Sequence, residues 1–185
     1  SEEAIQWYQR AAQVAKRFFA HAEAITYLES GLALLDALQM AHAAVVKKID
    51  LLLDLVKILT YVDGATSLQQ GDVLLQACNL ARRINDIDRL AEIFQHLSFF
   101  YQARGQNQEA RKIVDEHLEL VENSEDHLLR CEVYTRVGVL NLSMGMFENA
   151  NHTMALAHAI LDQCDTHLQS TVTWKEHYSY IDRFG

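Results

Sequence analysis

A short stretch, Gly105-Gln-Asn-Gln-Glu-Ala110, returns in altered form as Gly145-Met-Phe-Glu-Asn-Ala150. The two copies lie about 40 residues apart, in the range of repeating helix–turn–helix units. Each sits between two runs of apolar residues at helical spacing. A unit of this kind cannot bury its apolar stripe alone, so units stack and each covers the next. Stacks of this type present long surfaces to partners, which makes binding the first expectation for this chain.

The remaining composition agrees. Among 185 residues there is no Pro and only 7 Gly, too few breakers for the many tight turns of a sandwich or barrel. Hydrophobic residues make up 50% and charged residues 22%, which suits one domain, residues 1–185, with a continuous core. The formal net charge is −9, and no run of Lys or Arg exceeds a pair (Lys47-Lys48, Arg82-Arg83). A nucleic-acid binder needs a basic face to displace counterions from phosphates, so direct nucleic-acid binding is excluded. An acidic surface also disfavours anionic membranes, and no apolar run is long enough to span a bilayer. Cys78, Cys131 and Cys164 are far apart and form no CxxC pair. They read as buried thiols in a reducing compartment, which places the chain in the cytoplasm. Ser1-Glu2-Glu3 enters helical pattern at once, as expected of a segment of a larger protein.

Periodicity divides the chain into repeats over 2–38, 41–84, 86–122 and 125–162, with a terminal helix over 166–182. The first helix, expected over 2–19, turns Ile5, Tyr8, Ala11, Ala12 and Ala15 inward. Its partner carries Ala24, Leu28, Leu32 and Leu35, and Gly31 allows close helix approach. Val45, Ile49, Leu52, Val56 and Leu59 form the third stripe, and Leu74, Ala77, Leu80 and Ala81 the fourth. Ser67 with Gln70 has capping-box spacing, and Asn85-Asp86 restarts the pattern. Leu90, Phe94, Leu97 and Tyr101 line the fifth helix, which Gly105 closes in the left-handed conformation. Ala110, Val114 and Leu118 line the sixth. Ser124 caps the seventh, with Tyr134, Val137, Gly138 and Leu142 inward, and Ala150, Met154 and Ala157 carry the eighth. The aromatic pairs Phe18-Phe19 and Phe99-Phe100, with Tyr101, fit a core between repeats, and His21 reads as a capping residue at its turn.

This pattern resembles the tetratricopeptide repeat. The third unit matches at Phe94, Leu97-Ser98, Tyr101, Gly105, Ala110 and Val114, with His117 where a small residue is usual. The fourth matches at Tyr134, Val137-Gly138, Gly145, Ala150, Met154 and Ala157, with Asn141 replacing a bulky residue. The first matches at Tyr8, Ala11-Ala12, Ala15, Ala24, Leu28 and Gly31. In the second, Leu52, Leu55-Val56 and Leu59 fit, but the turn is longer and Gln70 stands where Ala is usual. Through its wider spacing, the stretch from Leu51 to Asp162 looks like the repeat region of large bacterial signalling ATPases, among them multidomain adenylate cyclases and LuxR- or MalT-type transcriptional activators. The resemblance implies an all-α fold: a right-handed α-α superhelix of about four helical hairpins plus a C-terminal capping helix.

It also implies where a partner binds. In a tetratricopeptide stack the first helix of each pair lines the concave groove. Transferred by position, that rule gives Gln6, Gln9, Arg10 and Gln13 from the first unit and Asp50, Asp54 and Lys57 from the second. The third gives Glu92, Gln95, His96 and Phe99, and the fourth Glu132, Thr135, Arg136 and Val139. The expected occupant is a protein or peptide, or another domain of the same polypeptide such as an NTPase or output domain.

Little else points to chemistry. The nine histidines include no HExxH and no pair four apart backed by a carboxylate, so no metal site is expected. Asp50 and Asp54 form an i,i+4 stripe with Lys57 rather than an acid–base pair. There is no P-loop, GxGxxG run or GxSxG elbow, so neither a cofactor nor catalysis is expected. The reading is a non-catalytic interaction or sensor scaffold in a signal-transduction or transcription-regulatory protein. The alternative is a homo-oligomerisation spacer without ligand, dimerising through the terminal helix with Trp174, Tyr178, Tyr180 and Phe184.

Overall fold

The structure, a computed structural model, describes residues 2–37 and 42–163. The terminal helix expected over 166–182 and Cys164 lie outside the described residues. The described chain is all-α, with helices α1 (Glu2–Arg17), α2 (His21–Asp36), α3 (His42–Val62), α4 (Leu68–Ile84), α5 (Ile87–Ala103), α6 (Asn107–Val121), α7 (His127–Ser143) and α8 (Phe147–Leu161). Within the units α1 with α2, α3 with α4 and α7 with α8 pack as helical hairpins, and no strand occurs among the described residues. The chain divides into two compact units, 1–113 and 114–185.

In the first unit each helix from α1 to α5 packs on the next in sequence. The third and fourth stripes are buried as their spacing implies, Ile49, Val56 and Leu74 completely. Tight approach is bought with small residues. A Cβ at Gly31 would lie 3.2 Å from Leu51 Cδ1, so α2 meets α3 almost backbone to side chain. At Gly71 the fit is closer, because a Cβ there would stand 2.5 Å from Phe100 Cζ. The ring of α5 therefore rests on the bare backbone of α4. Lys48 is buried on α3 and forms an ion pair with Asp36 at the end of α2.

Gln70 departs from the repeat pattern for a structural reason. The turn between α3 and α4 is long, and its carbonyls need a donor. The buried Gln70 amide supplies one: Nε2 donates to the carbonyls of Gly64 (3.2 Å) and Ala65 (3.3 Å), while Oε1 accepts from the Thr60 hydroxyl at 2.8 Å. An alanine there would leave the turn untied. With Gln70 turned inward, the capping box does not form. Ser67 holds the N-cap dihedrals of α4 but makes no side-chain cap bond.

In the second unit α7 packs on α8, and Cys131, Ala157 and Ile160 cluster with Tyr134 and Leu161 against them. Gly138 receives Met154. Leu142, expected inside, is exposed, and its neighbour Asn141 is buried instead, donating to Thr153 Oγ1 at 3.5 Å. The cap of α7 also differs from expectation. Asp126, not Ser124, is the N-cap, its carboxylate accepting from the amides of Leu128 and Leu129 at 3.0 Å. Ser124 Oγ accepts from the Asp126 amide at 3.1 Å and so sets the turn that precedes the cap.

The turns between first and second helices use left-handed residues. Gly105 and Gly145 do so with φ of 72° and 75°, closing α5 and α7. In the first hairpin the same role falls to Phe19, at φ 58°. There α1 ends at Arg17, short of 19, and the Ala20 amide donates back to the Ala15 carbonyl at 2.9 Å, a helix-closing bond of the Schellman type. Phe18 and Phe19 are then left 79% and 83% exposed, against the expectation that they pack between repeats.

Candidate functional site

The first helices α1, α3 and α5 share one face of the first unit, and polar contacts run across it. Gln9 Nε2 on α1 donates to Asp54 Oδ2 on α3 at 3.3 Å. One turn earlier on α3, Asp50 Oδ1 accepts from Arg89 Nε on α5 at 2.8 Å. Arg89 also donates to Asp86 Oδ2 at 2.7 Å, so the N-cap residue of α5 is tied into the same row. Lys57 Nζ pairs with Glu92 Oε1 at 3.0 Å. The Arg89 pKa is raised above its ordinary value, chiefly by the hydrogen bond to Asp50, against partial desolvation and with help from Asp86. These groups are half-exposed, so each pair contributes only about 0.2–1 kcal/mol.

The structure thus brings together Asp50, Asp54 and Lys57, each engaged with a neighbouring first helix. Gln13 follows Gln9 by one turn on the same face of α1. Gln95 and His96 are half-buried on α5, and Phe99 is exposed there. Glu132 and Arg136 lie one turn apart on α7, in the second unit. Arg136 acts on the buried His117 of α6, whose pKa falls to about 4, first through burial and then through that positive charge.

Arg10 is placed elsewhere. It lines a shallow cleft between α1 and α2 with Trp7, Ala11, Val14, Ala15, Phe18, Ala20, Glu23 and Tyr27. Two features escaped the sequence reading. Arg89 sits one turn before Glu92 on the same helix face, so the positional rule carried one turn further back would have found it. The cleft had a signal too: Trp7, Val14 and Phe18 make a second apolar stripe on α1 beside the one with Ile5, Ala12 and Ala15. His21 does not cap α2. Its ring stacks on Tyr61 with centroids 6.2 Å apart, and Ala20 takes the N-cap position without a side-chain bond.

Among the described residues no group of His, Cys, Asp or Glu could hold a metal ion, and no helix is long and apolar enough to cross a membrane. Cys78 and Cys131 are buried free thiols.

Residues 89–163 match the tetratricopeptide repeat family. No curated protein matches the sequence. Among solved structures, BtubC (BKLC) from P. vanneervenii is similar with a TM-score of 0.72 and 15% identity, over 84% of this chain and 62% of that one. The apo form of RapI is similar with a TM-score of 0.75 and 12% identity, over 98% of this chain and 69% of that one. This chain therefore spans less than two thirds of the length of BtubC. At such identities the likeness is one of fold. Tetratricopeptide repeats are in general non-catalytic modules that bind proteins.

Proposed function

We propose that this chain is a protein-interaction scaffold whose α1/α3/α5 face receives an extended peptide or a neighbouring domain. The observation that supports it is the polar row itself. Gln9–Asp54, Asp50–Arg89 and Lys57–Glu92 are half-exposed pairs on consecutive first helices. Pairs of this kind are weak enough to open, and each holds a donor or acceptor that a ligand can take over. Gln13, Gln95, His96 and Phe99 extend the row, and Glu132 and Arg136 offer the corresponding positions in the second unit. In our reading the parent is a cytoplasmic signal-transduction or transcription-regulatory protein, and the occupant is a segment of a partner or of an adjoining NTPase or output module. Regulation then requires that the occupant bind one arrangement of the parent more tightly than another. The alternative, a homo-oligomerisation spacer acting through 166–182, rests on residues outside those described.

A photo-cross-linking residue at position 99 in the intact parent protein tests this. Capture of a partner segment from position 99 but not from Leu75, an exposed site on α4, is the expected result. Equal capture from both, or none from 99 while Lys57→Ala leaves the parent's output unchanged, would sink the groove.

A further inference from the structure

We draw no further inference here: the strongest candidate, the exposed apolar cleft between α1 and α2 formed by Trp7, Val14 and Phe18, sets one cation, Arg10, against one anion, Glu23, and nothing in the structure shows what covers it.

Discussion

Phe19 adopts a φ of 58° in a turn where α5 and α7 are closed by Gly105 and Gly145. A side chain with a Cβ costs about 1–2 kcal/mol in that region, and the Phe19 ring gains little back because it is exposed. Phe19→Gly should therefore raise stability by about 1 kcal/mol, read as a higher urea midpoint with an unchanged slope. His117 acts in the opposite sense, through protons. It fills, in α6, the place where the repeat pattern has a small residue, and burial with Arg136 nearby lowers its pKa to about 4. The unfolded chain protonates this imidazole near pH 6.5, the folded chain only near 4. Its stabilising effect is therefore complete above pH 6.5 and is lost as the pH falls from there toward 4, by up to about 1.4 kcal/mol per pH unit. Urea midpoints measured from pH 7.5 to 5 should drop along this course, and His117→Leu should flatten it.

At the scale of single helices, periodicity was a reliable guide and capping was not. All eight described helices lie where the apolar stripes place them, because burial of a stripe depends only on spacing. Caps depend on where one hydroxyl points. Ser67 and Ser124 have the right residue type and neither makes the cap bond; at α7 the role passes to Asp126 two residues further on. The consequence can be measured. Asp126→Ala should cost about 1 kcal/mol, Ser124→Ala less than half of that, and Ser67→Ala almost nothing, all by chemical denaturation. The same contrast explains Leu142 and Asn141. Two adjacent residues at the end of α7 compete for one inward position, and the polar one wins because Thr153 is there to receive its amide.

For the molecule as a whole, the hairpin order was legible, and part of the candidate site with it. A positional rule tells which residues of a first helix share a face, and it put Gln9, Asp50, Asp54 and Lys57 on the faces where the structure pairs them with neighbouring first helices. It does not tell how far apart successive first helices lie, so it could not show that these residues reach each other or that Arg89 joins Asp50 to Asp86. Arg10 stands 100° around α1 from Gln9 and lines the α1/α2 cleft, and only packing decides which of the two faces α3. Packing sets a further limit, on how such a chain can diverge. Because the ring of Phe100 rests on the backbone of Gly71, neither position is free to drift by itself. In any set of related sequences, a side chain arriving at 71 should coincide with a smaller residue at 100, so that this pair varies jointly while the exposed positions around it change independently.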